Sequence, residues 1–314
     1  MPPLNMGGHC PPPIVTPDFW PATPDQYREL LERLCPGTYE TIGRSAGGRD
    51  IWAAALDLQP GAPTVGVVGG MHGHEAQGPA TCFNLLSILK TGHDLKGRAW
   101  PGFDRVNWAL VFCLNPDARA RMPNSFVGLS VKDVTNYDSG LKLDGERRSG
   151  QGDVVPEEML ILGGLFNDAG VDILRHGDRA DTVSPEREAV LGFVERRRPQ
   201  VCLELHAHCA PPQFYCPLTP APPAVVARQI EIVDGIVAAG NAAGYGFAEK
   251  TGEVPGLSTA LYHGVAGAVP LLLESPQGAL DAGPRWDHAR IIDVNLFVCG
   301  QLVRWVADPE RCGG

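Results

Sequence analysis

The chain has 314 residues, of which 44% are hydrophobic and 20% are charged, so it can form a sizeable core and carries too little charge for disorder. One globular domain is therefore expected. The net charge is −10, from 26 basic and 36 acidic residues. Because no dense run of Lys and Arg is present, a nucleic-acid partner is not expected.

The sequence shows no targeting segment. The N-terminus lacks a basic stretch followed by an apolar one, and no run approaches the ~20 apolar residues that a membrane helix needs. The nine cysteines form no CxxC pair, which is typical of reduced thiols and not of a disulfide framework or a thiolate metal site. We therefore expect a soluble, cytoplasmic protein without a membrane partner. The sequence does not indicate its oligomeric state.

Residues 1–22 are rich in Pro and Gly and show no apolar period, which predicts an irregular arm on the surface. The ordered domain is expected over residues 23–314. It begins with a helix to about Cys35, because Thr23 is a good N-cap, Pro24 suits a first turn, and apolar residues follow at helical spacing.

The rest of the domain alternates between short apolar runs and helical patterns. The runs predict buried strands at residues 50–58, 63–69, 108–114, 201–205 and 268–273. The helical patterns lie at residues 79–90, 184–197, 229–243 and 291–307. Mixed sequence between residues 118 and 166 predicts long excursions over the surface. The alternation is typical of a three-layer α/β/α fold whose central sheet is mixed and largely parallel.

Three predicted strand ends carry side chains that can bind a metal ion or transfer a proton. They are, in chain order, His72 with Glu75, His206 with His208, and Glu274. Functional residues of an open α/β sheet gather at the carboxyl ends of its strands. We therefore expect these side chains to lie close together.

The pattern around His72 predicts a metal site. Glycines in GGMHG give the backbone freedom to turn, so that His72 and Glu75 can face one point. With His206 they form a His2Glu set, the ligand type of a catalytic zinc that leaves its fourth position open to water. Zinc lowers the pKa of such water toward ~7, and a carboxylate that is not a ligand can take its proton. Glu274 is the candidate for this general base.

Seven motifs follow one another along the domain. They are TIGRSAGGRDIWAAAL, GVVGGMHGHEAQGP, LNPDARAR, GVDILRHG, SPEREAVLGFV, LELHAH and LLLESPQG. In this order they resemble the M14 family of zinc carboxypeptidases, over nearly the whole domain. The resemblance implies that family's fold, one zinc ion per chain on His72, Glu75 and His206, and Glu274 as the catalytic glutamate.

The resemblance also implies roles for residues around the metal. Asp172 stands where the family has a carboxylate that accepts a hydrogen bond from the first zinc histidine. Arg175 stands where the family grips a substrate carboxylate with both oxygens. The preceding position departs from the pattern, because Leu174 replaces the family's Asn, and His176 follows the arginine. His208 is expected to line the cleft, and His74 to lie behind the ligands or in solvent.

Two further roles of the family are not fixed by the sequence. The donor to the transition-state oxyanion is an arginine between the Asn-Pro-Asp turn and the Gly-Val-Asp segment. The candidates are Arg119, Arg121, Arg147 and Arg148. We favour Arg121. For the tyrosine that holds substrate we favour Tyr262 over Tyr245, because Tyr262 is nearer to the glutamate strand in sequence.

Three functions are compatible with these residues. The leading hypothesis is a metallocarboxypeptidase that releases the C-terminal residue of a peptide. The alternative is a deacylase of N-acyl amino acids, like the aspartoacylase and succinylglutamate desuccinylase branch, whose core is similar. A third hypothesis is a non-catalytic protein that keeps the fold, although such a protein would have no need of Glu274. The segment 254–268 should supply pocket walls, and it is small and apolar apart from His263.

Overall fold

The structure is a computed structural model that describes residues 14–148, 152–175, 184–208, 211–255 and 257–308. In these ranges the helices are α1 (Pro24–Leu34), α2 (Gln77–Thr91), α3 (Pro116–Arg121), α4 (Val131–Ser139), α5 (Pro185–Arg197), α6 (Pro223–Ala242), α7 (Leu261–Ala266) and α8 (His288–Val306). The strands are β1 (Tyr39–Arg44), β2 (Asp50–Leu56), β3 (Thr64–Gly69), β4 (Asn107–Val111), β5 (Leu141–Lys142), β6 (Met159–Ile161), β7 (Val201–His208), β8 (Gln213–Tyr215), β9 (Leu218–Thr219), β10 (Val254–Pro255) and β11 (Val269–Pro276).

The first helix forms where the capping residues predict it. The Thr23 side chain accepts a hydrogen bond from the backbone of Gln26, and the Gln26 side chain accepts one from the backbone of Thr23 in return. This capping box satisfies amides that would otherwise lack partners at the helix start. Tyr27 and Leu31 point into the core.

The arm predicted before this helix is not wholly on the surface. Residues 14–22 contain no helix or strand, as expected. Trp20 and Ala22, however, are only 2% and 1% exposed, and the Trp20 indole donates a hydrogen bond to the carbonyl of Asn124. The last residues of the predicted arm are therefore part of the core, because burial of the large indole outweighs the lack of regular structure around it. Residues 1–13 of the arm lie outside the described residues.

Seven strands form the central sheet, in the order β1-β2-β4-β3-β7-β11-β8. The four inner strands β4, β3, β7 and β11 run parallel, whereas β1, β2 and β8 join antiparallel. Helices cover both faces of this sheet. The predicted three-layer α/β/α fold with a mixed sheet is confirmed.

Successive side chains of β7 and β11 point to opposite faces, as the pleat requires. Leu203 and Leu273 pack in the larger core beneath α1, α2, α6 and α8. Cys202 and Leu272 pack in the second core with α5 and α7. The same alternation places the polar residues that follow on β7 and β11 toward the α5 and α7 face.

The segment predicted as a surface excursion builds a small core of its own. Helix α4 and strands β5 and β6 enclose a cluster that includes Phe126, Val134, Tyr137 and Ile161. The excursion is thus a folded layer with its own small core. Among the helices of the described ranges, none combines the length and the apolarity needed to cross a bilayer.

Candidate metal centre

The carboxyl ends of β3, β7 and β11 bring the predicted site residues together. His72 lies in the turn after β3, and His206 is the sixth residue of β7. Glu274 on β11 is the register partner of His206 on the neighbouring parallel strand. His206 and Glu274 therefore leave the same face of the sheet side by side, next to the turn that carries His72.

Glycines make the turn after β3 possible. Gly70 has a φ of +66°, a conformation that residues with a side chain rarely adopt. At Gly73 a Cβ atom would meet the Cβ of Ala118 at 2.3 Å. The chain turns tightly enough for the amide of Glu75 to donate to the carbonyl of His72 at 3.1 Å, which places the two side chains on one side of the turn.

Three buried side chains form a compact donor group. The Nδ1 atom of His72 lies 3.0 Å from Oε1 of Glu75 and 3.3 Å from Nδ1 of His206. Nδ1 of His206 lies 3.3 Å from Oε2 of Glu75. One donor atom from each residue fits within 4.8 Å of the other two, so the group can hold a metal ion. Two imidazoles with one carboxylate are the donor chemistry of a catalytic zinc.

The electrostatics of the group also suit a cation. Burial disfavours protonated imidazoles, but the adjacent Glu75 carboxylate outweighs it, so the pKa of His72 is raised and that of His206 is raised strongly. Burial alone would raise the pKa of Glu75, whereas the two histidines lower it far below its ordinary range. Without metal the cluster attracts protons, and a metal ion can take their place.

Glu274 is a buried carboxylate beside this group. It is 7% exposed, and its Oε2 atom has no hydrogen-bond partner among the described residues. Burial first, and then the negative charge of Glu75, raise the pKa of Glu274 from 4.5 to about 7, against the pull of His206 and His72. A buried oxygen that is free to accept a proton near neutral pH is what a general base requires.

Comparison with known proteins agrees with this geometry. Residues 25–132, which include His72 and Glu75, match the model of the family described as zinc carboxypeptidase. The resemblance is confirmed: the chain is zinc carboxypeptidase-like. No curated protein matches its sequence.

Several solved structures share the fold of the zinc carboxypeptidase-like chain. A metallo-carboxypeptidase from Pseudomonas aeruginosa, in complex with (2-guanidinoethylmercapto)succinic acid, is 18% identical with a TM-score of 0.62, covering 91% of this chain and 69% of that one. One from Burkholderia cenocepacia is 15% identical with a TM-score of 0.60, covering 90% and 69%. Bovine thrombin-activatable fibrinolysis inhibitor is 14% identical with a TM-score of 0.57, covering 90% and 94%.

Behind His206 the structure reveals a carboxylate that sequence reasoning missed. Glu204 is fully buried, and its Oε2 atom lies 3.1 Å from Nε2 of His206. The hydroxyls of Thr259 and Tyr262 both donate to the same carboxylate. A signal was present in VCLELHAH, because the alternation of a strand puts residues 202, 204, 206 and 208 on one face.

Tyr262 is therefore not where the sequence placed it. It is 1% exposed, because α7 packs its ring into the second core. Its hydroxyl supports Glu204 and does not face the cleft. The alternative, Tyr245, donates weakly to the carbonyl of Asp293 at 3.5 Å and packs against Phe297 of α8, on the face opposite to Glu274.

Another tyrosine lies near the site and was also missed. Tyr215 ends the edge strand β8 and is the register partner of Leu272, two residues before Glu274. Burial and then the charge of Glu274 raise the pKa of its phenol, while the charge of Arg175 lowers it. The phenol of Tyr215 is thus within electrostatic reach of both the general-base candidate and the predicted carboxylate-binding arginine.

Asp172 lies near His72 but does not form the predicted hydrogen bond. One carboxylate oxygen of Asp172 accepts the backbone amides of Leu174 and Arg175, both at 3.1 Å. The Nε2 atom of His72 has no hydrogen-bond partner among the described residues. Asp172 acts on His72 through its charge, which raises the histidine pKa, and it also shapes the turn that presents Arg175.

Arg175 is half-buried and lies at the end of a described range, so His176 is outside it. Its backbone pairs with Leu257 in an isolated antiparallel bridge. Burial raises the pKa of both Asp172 and Tyr215, and the guanidinium charge of Arg175 opposes this rise. Leu174 is 3% exposed and packs in the second core, so it offers no polar group where the family pattern has Asn.

The arginines proposed for the oxyanion make contacts within their own segment. Arg121 donates to the Asp168 carboxylate at 2.7 Å and to the carbonyls of Leu162, Gly163 and Phe166. Its guanidinium is occupied by these partners, so it fastens the excursion in place of facing the metal group. The others resemble it in part. Arg119 is 2% exposed and donates to the carbonyls of Met122 and Pro123, Arg148 donates to Gly152 and lies over the Phe166 ring, and Arg147 is exposed.

Two further histidines, His74 and His208, lie next to the metal group. His208, at the end of β7, is half-buried and hydrogen-bonded to Gln213, and burial lowers its pKa. The ring of His74 is buried and stacks on His72 with 5.7 Å between centroids. Its Nε2 atom lies 3.4 Å from Asp138, yet burial lowers its pKa. His74 thus lies against the ligand candidate His72, and the role of His208 as a wall of the cleft stays a prediction.

Proposed function

We propose that this chain is a zinc-dependent metallocarboxypeptidase that removes the C-terminal residue of a peptide. The observation that carries the proposal is the buried group of His72, Glu75 and His206 beside Glu274, a buried carboxylate with a free oxygen. A structural metal site needs no such base, and a surface acid would not be buried. The pair of features favours hydrolysis over binding alone.

In this mechanism His72, Glu75 and His206 would hold one zinc ion. The ion would supply Lewis-acid chemistry, which polarises a carbonyl and makes water more acidic. Glu274 accepts a proton from the attacking water on its free Oε2 atom and then delivers it to the leaving amine. Burial keeps Glu274 away from competing cations, so the proton stays at the reacting atoms.

The substrate contact in this proposal is Arg175. A planar guanidinium can bind both oxygens of a terminal carboxylate, and the molecule bound to the Pseudomonas protein is a succinic acid derivative. The charge of Arg175 opposes the rise in the pKa of the Tyr215 phenol, so the two side chains are close. The Tyr215 hydroxyl can therefore contact the same substrate carboxylate. Because Leu174 is apolar and buried, Arg175 grips the carboxylate with fewer polar partners than the family pattern has.

The experiment compares substrates on the zinc-loaded protein. The panel contains N-blocked dipeptides as free acids and as C-terminal amides, together with N-acetyl and N-succinyl amino acids, and Glu274→Gln is the inactive control. Release of the C-terminal residue from the acids, at least tenfold faster than from the amides, is the expected result. Cleavage of the N-acyl amino acids alone would replace the proposal by the deacylase. Failure to cleave any of them would contradict the proposal.

A further inference from the structure

The cluster behind His206 consists of Glu204, Thr259 and Tyr262, and its carboxylate contacts a predicted metal ligand. Glu204 is fully buried, and burial of an unpaired carboxylate costs free energy. Three side chains meet it: the Nε2 atom of His206 at 3.1 Å and the hydroxyls of Thr259 and Tyr262. Thr259 and Tyr262 are themselves 0% and 1% exposed, so the whole network is closed to solvent.

We propose that Glu204, held by Thr259 and Tyr262, is a positioning residue of the metal centre, which orients His206 and fixes which of its nitrogens faces the metal. The proposal rests on the proposed function only in that the group binds zinc. A carboxylate accepts hydrogen bonds and donates none, so Nε2 of His206 must carry a proton. Nδ1 is then the ligand atom, and it is the nitrogen that lies 3.3 Å from both His72 and Glu75.

The two histidines differ in this respect. Nε2 of His206 is anchored by Glu204, whereas Nε2 of His72 has no hydrogen-bond partner among the described residues. A carboxylate on the outer nitrogen of a ligand histidine locks the ring and increases its basicity, and its loss typically costs 10–100-fold in metal affinity. Metal affinity should therefore depend on the support of His206.

The network also ties the metal ligand to the predicted substrate pocket. Thr259 and Tyr262 come from the short segment after Leu257, and Leu257 pairs through its backbone with Arg175. One segment thus contains both the support of His206 and the backbone partner of the arginine predicted to bind a carboxylate. A substitution of Tyr262 should therefore change metal affinity, although the Tyr262 hydroxyl contacts Glu204 and none of the three predicted metal ligands.

The test measures zinc affinity by competition with a chelator, at a temperature where each variant is folded. We expect Glu204→Gln to weaken zinc binding about 10–100-fold, since the charge is lost although an amide remains, and Tyr262→Phe to weaken it less but in the same direction. Glu186→Gln is the matched control. Glu186 is also a fully buried carboxylate with three hydrogen-bond donors, from Ala46, Asn167 and Ser184, but it does not contact the metal group.

A second readout reports on the orientation of His206 itself. In the zinc-loaded protein, proton NMR should show a protected imidazole N–H for His206 that shifts in Glu204→Gln and is retained in Glu186→Gln. Zinc affinity in Glu204→Gln equal to that of both wild type and Glu186→Gln would overturn the proposal. If Glu204→Gln does not fold, Tyr262→Phe decides, and an unchanged affinity and N–H signal there overturn it as well. Tight zinc binding without hydrolysis in wild type would contradict the proposed function alone.

Discussion

Replacement of Glu274 by glutamine changes one atom of the site and separates catalysis from metal binding. Glu274→Gln keeps the shape of the side chain but cannot accept a proton from water. A general base contributes 10²–10⁴-fold to the rate, which corresponds to about 3–5 kcal/mol of transition-state free energy. We therefore expect kcat to fall at least 100-fold, while zinc content stays equal to that of wild type.

The same substitution should stabilise the metal-free protein at higher pH. Burial and Glu75 raise the pKa of Glu274 from 4.5 to about 7 in the folded state. A carboxyl with a raised pKa loses its contribution to folding as pH rises from its unfolded pKa through its folded one. Between about pH 4.5 and pH 7, the free energy of unfolding of wild type should thus fall by on the order of 3 kcal/mol relative to that of Glu274→Gln. Above about pH 7 the difference between the two proteins should stay constant.

Three measurements on Glu274→Gln test these expectations. They are kcat with a free-acid peptide, zinc per chain after dialysis, and urea unfolding of the metal-free protein at several pH values. Loss of zinc in Glu274→Gln would mean that Glu274 is a ligand. A kcat within tenfold of wild type would refute its role as the base. Equal stability of the two proteins at pH 8 would refute the argument from burial.

Arg175→Ala should remove the preference for a free-acid peptide over its amide, because a charge-assisted contact worth about 1.5–3 kcal/mol is lost; an acid-to-amide rate ratio still above tenfold in this variant would contradict the assignment. Arg121→Ala should lower the free energy of unfolding by about 2–3 kcal/mol, because the Asp168 contact and the carbonyl contacts are lost. Its kcat/KM per folded molecule should stay within about threefold, and a 100-fold loss would restore an oxyanion role. Tyr215→Phe should raise KM by about three- to tenfold with little change in kcat, and steady-state kinetics showing an unchanged KM would exclude substrate contact by the phenol.

The metal group was predictable because it follows from short-range rules. Parallel strands end at one edge of a sheet, and period-two alternation decides which side chains share a face. His206 and Glu274 obey both rules and lie side by side on β7 and β11. The same alternation includes Glu204, so this residue could have been found by asking why an acid occurs in an otherwise apolar strand.

The environment of Arg121 could not be predicted in the same way. Its partners Leu162 and Asp168 lie more than 40 residues further along the chain, with separations of 41 and 47 positions. They reach it only because the excursion folds into a layer with its own small core. Nothing in the sequence near Arg121 distinguishes an arginine that fastens a loop from one that faces a substrate.

Tyr262 shows how proximity in sequence can mislead. It precedes the strand of Glu274 by a few residues, but α7 packs on the sheet face and turns the phenol toward Glu204. Tyr215 is far from Glu274 in sequence and close to it in register, because β8 pairs with β11 antiparallel. Strand pairing between distant segments, and not local pattern, decides which tyrosine lies near the site.

The most direct test of the metal centre is the zinc content of the purified protein after dialysis against metal-free buffer, measured by atomic absorption for wild type and His206→Ala. One zinc per wild-type chain and none in the variant is the expected result, because the loss of one of three ligands removes a large share of the binding free energy. A full equivalent of zinc in His206→Ala, or none in the wild-type protein, would contradict the assignment of His72, Glu75 and His206 as the zinc ligands.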